Sequence, residues 1–531
     1  MNSQAHYHRA VVKSASNDDV LTGICRGIEK EGLRVTNAHG MLAQTSHPEA
    51  LGAALTHELI TTDYSESLLE FITPPCIDMR ESLRVLRQIH RYTAAVLDGE
   101  LVWGASMPCI VTGDRGIPIA QYGSSNIGTM KRVYRNGLGA RYGRMMQAIA
   151  GIHYNFSMPD SFWNQAWSEA GGIGELQDFK TEGYLGLIRN FFNRVWLLIY
   201  LTGASPAVCA SFLAGNRNHH LLPTDESASS LHLPFATSLR MGDLGYNSEA
   251  QKGIQICYNS LDNYIKALHQ AILTPHSGYS EIHLTDEGER AQLSDSLLQI
   301  ENEFYSPIRP KRVSRSAEAP VVALARGGIE YIEVRCVDIN PFLPVGIDKE
   351  TMRLLDVFLV DCLLSDSPLC DEAGQKRNSE NLRRVVDGGR DPKLMLQDGD
   401  QEVPFGTLAE QLLNQMAETA ALLDRDHGGS GHIDAVNTAR GRLADPDSTP
   451  SGRILKEMRE QNMPFGQLAL NYSRRWDQQF RSEALSEEEA QHFARLAVES
   501  IAKQQALEAG DSMSFDTYLA QFFAQYQGVS L

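Results

Sequence analysis

A pair of alternating carboxylates occurs near the N-terminus, in a segment whose composition favours a strand. Residues 27–35 read GIEKEGLRV, with Ile and Val present and without helix-capping residues. Residues two apart on a strand share a face, so Glu29 and Glu31 point the same way, with Cβ atoms roughly 6 to 7 Å apart. Carboxylates at that separation can hold one or two cations. Two glutamates on the solvent face of an edge strand give the same pattern, so this segment alone assigns no site.

Two further segments place polar side chains in strand-like surroundings. Glu70 interrupts the apolar run at residues 68–73, seven residues after Asp63, and a carboxylate among Leu, Phe and Ile is costly unless a partner compensates it. Residues 151–157 read GIHYNFS, so His153 and Asn155 share one face of a predicted strand. A structural acid with a partner and a hydrogen-bonded core histidine remain the alternatives at these positions.

The most informative segment is GGIEYIEVRCV at residues 327–337. On a strand, Glu333 and Arg335 share a face with Tyr331, and the apolar residues between them face the other way. An acid beside an arginine is either a salt bridge across the sheet or part of a site that holds a metal ion and a phosphoryl group together. The second reading rests on the preference of Mg²⁺ for carboxylate oxygen and on the fit of guanidinium to phosphate.

These segments together predict a curved sheet whose concave face is an active site. The acidic residues expected on this face are Glu29, Glu31, Asp63, Glu70 and Glu333. Because neighbouring carboxylates raise one another's pKa, these residues could not all stay ionised on one face without cations between them. Oxygen ligands with at most one histidine favour Mg²⁺ or Mn²⁺ over zinc, which makes an ATP site a natural hypothesis. No GxxxxGK[ST] motif is present, so a P-loop is excluded. The basic run at 309–315 either contacts nucleotide phosphates or balances nearby acids.

The elements that position these residues indicate an α+β protein. Strand-like stretches alternate with helices such as Met79–Leu97 and Tyr184–Tyr200 from residue 21 to about 345, which predicts a catalytic sheet region with helices at 21–345. Helical patterns dominate residues 346–531, where Ser486 and Glu489 have the spacing of a capping box. We find no internal repeat, so we expect residues 1–531 to form a single unit.

Composition excludes several classes of protein. The 531 residues carry a net charge of −18, which argues against a nucleic-acid partner.

Eight scattered cysteines without a CxxC pair favour a reducing compartment, and the N-terminus lacks the apolar stretch of a signal peptide, so the expected localisation is cytoplasmic. The uncharged run at 195–215 is broken at 202–206, which predicts a helix end, a turn and a second buried segment rather than a membrane span. The sequence does not fix an oligomeric state, and a monomer is the working expectation.

At these residues the chain resembles the glutamate–cysteine ligases of the proteobacterial type. The resemblance covers, in order, residues 23–34, 56–74, 106–107 with 121–123, 134–157, 201–212, 236–246, 299–312 and 327–341, and it is loose beyond about residue 375. It implies a curved, mostly antiparallel sheet surrounded by helices, like that of glutamine synthetases, with a mainly helical C-terminal part. It also implies ATP-dependent ligation of the glutamate γ-carboxylate to the cysteine amino group, the first step of glutathione biosynthesis.

The resemblance further implies roles for individual residues. The Mg²⁺ ligands would be Glu29, Glu31, Asp63, Glu70, His153 and Glu333. Arg335 would steady the transferred phosphoryl group, with Glu333 and His153 beside it, and Arg240 would bind a substrate carboxylate. The cysteine pocket would be formed by Tyr134, Leu138, Gln147, Ile149, Tyr246 and Tyr305. Core packing is the alternative for each pocket residue, and an ordinary surface position is the alternative for Arg240.

Three rival functions remain open from the sequence alone. The first is a carboxylate–amine ligase with a different amine acceptor, which would release ADP in response to glutamate whether or not cysteine is present. The second is a metal-dependent phosphohydrolase, which would hydrolyse ATP without any amino acid. The third is a non-catalytic nucleotide-binding regulator, which has no need of so many clustered carboxylates.

Overall fold

The computed structural model describes residues 2–213, 219–224, 228–244, 251–315 and 317–528. The strands are β1 (Cys25–Thr36), β2 (Ile60–Thr62), β3 (Leu68–Ile72), β4 (Glu100–Val102), β5 (Ile152–Ser157), β6 (Ala207–Cys209), β7 (Leu222–Pro223), β8 (Ser230–His232), β9 (Ile308–Lys311), β10 (Tyr331–Val337), β11 (Met395–Asp398) and β12 (Gln401–Pro404).

Helices account for most of the remaining regular structure. They are α1 (Asn2–Ala15), α2 (Met79–Val96), α3 (Asn126–Tyr142), α4 (Asp160–Glu169), α5 (Leu176–Thr202), α6 (Leu261–Leu273), α7 (Pro320–Gly327), α8 (Lys349–Leu364), α9 (Glu372–Gly388), α10 (Phe405–His427), α11 (Gly431–Ala444), α12 (Pro450–Glu460), α13 (Phe465–Ser482), α14 (Glu487–Gly510) and α15 (Phe515–Gln527).

A seven-stranded sheet organises the molecule, with the order β2-β3-β1-β5-β10-β9 and β4 paired to β1. Every neighbouring pair in this sheet is antiparallel. One face is apolar, because Ile28, Ile152, Ile332 and Val334 are fully buried there and helices pack over it. The opposite face carries the acids and cations described below and is called the polar face. The predicted fold class, an antiparallel sheet with surrounding helices and a helical C-terminal part, is confirmed.

A buried ion pair ties the apolar side of the sheet to helix α8. Arg26 on β1 donates from Nε to Asp356 Oδ2 at 2.8 Å, and both side chains are fully buried. Tyr154 on β5 donates to the other oxygen of the same carboxylate at 2.8 Å. Arg26 Nη2 also donates to Asp356 Oδ2, and Arg26 Nη1 donates to the carbonyls of Ile24 and Ile77. One carboxylate therefore fixes two central strands against the helix layer.

We expect Asp356→Asn to lower the free energy of unfolding by about 3–5 kcal/mol, because it leaves the Arg26 charge buried without a counter-charge. Urea denaturation followed by circular dichroism measures the change. Asp160→Asn is the matched control, since Asp160 also pairs with a cation, Lys180, but its side chain is 82% exposed. That control should be nearly neutral, and equal stabilities of the two variants would contradict the role assigned to Asp356.

The predicted helices are largely confirmed, with two differences in extent. Helix α2 begins at Met79 as predicted, after Asp78, whose carboxylate accepts from the Arg80 N–H, and it ends at Val96, one residue before the predicted end. The helix expected at Tyr184–Tyr200 begins earlier, at Leu176, and runs to Thr202. The capping box of Ser486 and Glu489 forms as predicted and starts α14.

The run at 195–215 ends helix α5 at Thr202 and continues into β6, so the expected helix end, turn and second buried segment are found as far as residue 213. In the described part of the chain, no helix is both long and apolar enough to cross a membrane.

The expectation that residues 346–531 are mostly helical missed one hairpin. Strands β11 and β12 pair antiparallel around Gly399 and Asp400. Gly399 has a φ of 59°, which glycine adopts without strain. A Gly-Asp pair between short strands is a recognised hairpin signal, but the polar character of these strands hid it.

Candidate active site

Strand pairing brings the separated acids together on the polar face. In the register of β1, Glu29 lies opposite His153 of β5, and Glu31 lies opposite Glu70 of β3. On the other side of β5, Glu333 of β10 lies opposite Asn155. Residues from four strands far apart in the sequence therefore meet, as the alternation in each segment predicted.

The tightest cluster consists of Glu29, His153 and Glu333. One ligand atom from each lies within 4.8 Å of the others, and among the described residues this is the group of three that could hold a metal ion. His153 Nδ1 is 3.1 Å from Glu29 Oε2 and 3.8 Å from Glu333 Oε1. Asn155 donates to the other Glu29 oxygen at 2.8 Å, which fixes the orientation of that carboxylate. The cluster has the oxygen-rich ligand set that Mg²⁺ prefers.

A second group of acids lies beside the first. Burial and the neighbouring carboxylates of Glu29, Asp63 and Glu31 raise the pKa of Glu70 well above its usual value. Burial also raises the pKa of Glu31, whose Oε2 accepts from the Gly151 N–H at 2.6 Å and whose Oε1 is 3.5 Å from His153 Nε2. The carboxylates of Glu31, Asp63 and Glu70 therefore lie near one another, but they do not form a cluster as compact as the first.

Cations crowd the other side of Glu333. Lys311 Nζ is 3.3 Å from Glu333 Oε1, and Arg335 Nη1 is 3.3 Å from Glu333 Oε2. Burial raises the pKa of Glu333, but Lys311 and Arg335 outweigh burial and hold that pKa well below its usual value. Arg309 lies opposite Glu333 in the register, and burial together with the Arg335 charge lowers the pKa of Arg309. Three cations thus face one ionised carboxylate.

A cavity of about 470 Å³ covers these groups. Helix α3 forms one long wall through residues spaced three or four apart, namely Ile127, Met130, Lys131, Tyr134, Arg135, Leu138 and Tyr142. From Ile127 to Tyr142 this wall runs about 22 Å along the helix axis. The cavity is therefore an elongated groove along α3, and we call it the groove.

The residues expected to bind substrate divide into three sets. Tyr134, Leu138, Gln147 and Tyr305 line the groove. Ile149 and Arg240 are buried and are not among its lining residues. The Arg240 guanidinium occupies the space that a Cβ on Gly151 would need, donates to the Arg335 carbonyl at 2.7 Å and is 3.6 Å from Asp338 Oδ1. Tyr246 lies outside the described residues.

Comparison with known proteins gives the family. The family model described as glutamate-cysteine ligase matches residues 10–385. The chain belongs to the glutamate–cysteine ligase family.

Relatives in this family match over nearly the full length. The glutamate–cysteine ligase of Saccharophagus degradans is 48% identical over 523 residues, covering 98% of each chain. The Pseudomonas aeruginosa glutamate–cysteine ligase is 48% identical over 524 residues, again covering 98% of each chain.

Solved structures agree with the assignment to the glutamate–cysteine ligase family. A glutamate–cysteine ligase from Francisella tularensis, solved in complex with AMP, has a TM-score of 0.90 and 37% identity, covering 97% of this chain and 100% of the other. A bifunctional glutathione synthetase from Pasteurella multocida has a TM-score of 0.71 and 23% identity, covering 99% of this chain and 58% of that one, which supports the fold alone.

Several residues of this ligase groove were not expected from the sequence. Lys131 and Arg135 on α3 line it, and so do Glu303, Tyr518 and Phe522. The three- and four-residue spacing on α3 was a usable signal, because Tyr134 and Leu138 already marked that face of the helix. Tyr518 and Phe522 gave no such signal, since two aromatic residues four apart look like ordinary core positions of an amphipathic helix.

Proposed function

We propose that this chain catalyses the ATP-dependent joining of the L-glutamate γ-carboxylate to the L-cysteine amino group, through a γ-glutamyl phosphate, in the first step of glutathione biosynthesis. The observation that carries the proposal is the juxtaposition, in a member of this family, of a carboxylate cluster and three cations on one face of the sheet. A carboxylate is a poor acyl donor because its leaving group would be an oxide. Conversion to an acyl phosphate removes that obstacle.

The residues present fit two magnesium ions. Glu333 Oε2 is buried, lies 3.3 Å from Arg335 Nη1 and accepts no hydrogen bond from the described residues, so it keeps lone pairs for a cation. The raised pKa of Glu70 reflects burial first and then the negative charge of neighbouring carboxylates, which a divalent cation would neutralise. Glu29, His153 and Glu333 would hold one ion, and Glu31, Asp63 and Glu70 would hold the other. When bound, magnesium supplies positive charge to the phosphoryl oxygens of ATP as charge spreads over them.

The chain's own cations would position the transferred phosphoryl group. Arg335 presents a planar guanidinium beside Glu333, and such a fork matches phosphate oxygens in two places at once. Lys311 and Arg309, from the neighbouring strand, extend this positive surface along the groove. The basic run at 309–315 is thus split, since Arg309 and Lys311 face the groove whereas Arg312 donates to the Gly328 carbonyl.

The cysteine end of the groove is proposed at Tyr134, Leu138, Gln147 and Tyr305, with Ile149 and Tyr246 carried over from the family. Burial and the nearby carboxylates of Glu303 and Asp63 raise the pKa of Tyr134, although the charges of two arginines oppose them. Burial raises the pKa of Tyr305 as well. Both phenols therefore stay protonated near neutrality and can donate hydrogen bonds to a small amino acid.

We propose that Arg240 binds the substrate carboxylate from beside the groove. Burial raises the pKa of Glu31 and of Tyr305, and the Arg240 charge opposes that rise at both groups, so the guanidinium already lies close to two residues that line the groove. The groove must also exclude water from the acyl phosphate, because hydrolysis would consume ATP without product.

ADP release separates the proposal from its rivals. With Mg²⁺ and ATP, we expect rapid ADP release only when glutamate and cysteine are both present, accompanied by γ-glutamylcysteine detected by mass spectrometry. Full ADP release with glutamate alone would indicate a different acceptor, and release without any amino acid would indicate a phosphohydrolase. ATP binding without turnover under every condition would indicate a regulator. Omission of divalent cation should abolish release in the proposed reaction.

A further inference from the structure

A buried ion pair joins Arg240 to Asp338, the residue that follows strand β10. Arg240 Nη1 lies 3.6 Å from Asp338 Oδ1, and both residues are buried. A second group holds the same guanidinium, because Arg240 Nη2 donates to the Arg335 carbonyl at 2.7 Å. A guanidinium is planar and rigid, so contacts at two of its nitrogens restrict the orientation of the whole group.

Asp338 also holds the backbone against which the Arg240 segment is docked. Asp338 Oδ2 accepts from the Ala204 N–H at 2.8 Å, just after the end of helix α5. The carbonyl of the next residue, Ser205, accepts from the Leu239 N–H at 2.7 Å, immediately before Arg240. One carboxylate therefore contacts the guanidinium directly and fixes the loop that supports it.

Asp338 lies outside the groove, whereas Arg240 lies close to it. Asp338 is not among the described residues that line the groove, and it lines a separate cavity of about 130 Å³ with Asp348 of the α8 cap and Arg442 of α11. An effect of Asp338 on a substrate in the groove therefore has to pass through a residue nearer to the substrate. Arg240 is a residue that Asp338 contacts and that is proposed to bind a substrate carboxylate.

We propose that Asp338 is a positioning residue, which holds the Arg240 guanidinium in the orientation that receives the substrate carboxylate. This inference rests on the proposed function, in which Arg240 binds that carboxylate. An arginine that is already oriented loses less conformational freedom when its ligand arrives, so more of the contact energy remains as affinity. Asp338 thereby contributes to substrate binding without touching the substrate.

A competing electrostatic effect has the opposite sign. The negative charge of Asp338 reduces the positive potential that Arg240 presents to an anion, so removal of that charge would strengthen carboxylate binding if orientation did not matter. Orientation should prevail, because Asp338 lies outside the groove, whereas hydrogen bonds from Arg240 weaken steeply once they are misaligned. The direction of the change in KM therefore distinguishes a positioning role from a purely electrostatic one.

Steady-state kinetics of Asp338→Asn test the proposal. Asparagine keeps the shape and can still accept from the Ala204 N–H, but it offers Arg240 no charge. We expect the KM of one amino-acid substrate to rise about tenfold, equivalent to about 1.4 kcal/mol of lost binding, while kcat and the KM for ATP change little. An unchanged or lower KM for both amino acids would overturn the positioning role.

Asp348→Asn is the matched control for this substitution. Asp348 lines the same cavity as Asp338, but its carboxylate caps helix α8 by accepting from the Thr351 N–H, a role that asparagine fills about equally well. All KM values of this variant should stay near normal. A rise in the control equal to that in Asp338→Asn would overturn the proposal, because the effect would then not depend on the contact with Arg240.

Removal of both charges gives a test that remains available if Asp338→Asn does not fold. Arg240→Gln should raise the KM of the affected amino acid, and the double variant of Arg240→Gln with Asp338→Asn leaves neither charge buried alone. If Asp338 acts only through Arg240, the KM of the double variant should stay within about threefold of the Arg240→Gln value.

Three results of this comparison would overturn the positioning role. They are a larger change in the double variant, an effect on different substrates in the two single variants, and unchanged KM values in Arg240→Gln. Absence of glutamate- and cysteine-dependent ADP release from the unaltered chain would instead overturn the proposed function.

Discussion

We expect the Glu333→Gln variant to lose at least about two orders of magnitude in kcat while keeping its fold. Glutamine has the same shape but no charge, so the cluster with Glu29 and His153 loses the carboxylate that Lys311 and Arg335 hold ionised. The fold should survive because the two cations can be hydrated, their side chains being 32% and 20% exposed. Circular dichroism and ADP release measure the two parts of this expectation.

Glu330→Gln is the matched control for this substitution. Glu330 precedes the same strand, is exposed and accepts from the Val313 N–H at 3.1 Å, away from the acids on the polar face. Its variant should turn over at nearly the normal rate. Near-normal activity of Glu333→Gln would remove Glu333 from the proposed metal ligands.

The second large effect is expected for Arg335→Lys, with a loss of about a hundredfold to a thousandfold in kcat. Lysine keeps the charge but has a single ammonium group, so it cannot contact two phosphoryl oxygens with fixed geometry. If Arg335 acts on the transferred phosphoryl group, the KM for cysteine should change little while kcat falls. Initial rates with cysteine varied at saturating ATP and glutamate measure both constants.

Arg312→Lys is the matched control, because it makes the same arginine-to-lysine change outside the groove. Arg312 follows strand β9, and its guanidinium donates to the Gly328 carbonyl at 3.0 Å rather than facing the groove. The control should retain its kcat. A rise in the cysteine KM of Arg335→Lys with an unchanged kcat would instead place Arg335 in amino-acid binding.

The sequence predicted which side chains share a face but not which strands pair. Alternation alone places Glu29 with Glu31 and Glu333 with Arg335, because the strand period is two. The register that sets Glu29 opposite His153 depends on contacts between residues far apart in the chain. Lone carboxylates and a lone histidine therefore remained ambiguous until the strands were assembled.

In the C-terminal part, the start of one helix could be predicted from a local motif, whereas the position of another helix could not. The capping box at Ser486 was local, and the start of α14 followed from it. The contribution of α15 to the groove depends on its docking between Asn126 and Glu301, which no short pattern encodes. Arg240 is a third case, since its motif position was clear, but its packing against Gly151 and the Arg335 carbonyl follows only from the assembled fold.

The docking of α15 has a consequence for protein synthesis. The acids of β1 leave the ribosome early, whereas Tyr518 and Phe522 are translated after almost all of the other groove residues. A nascent chain arrested before residue 515 would expose its carboxylates and cations with one wall missing. A nonsense mutation close to the 3′ end of the coding sequence should therefore remove one wall of the groove while leaving every acid of the polar face in the protein.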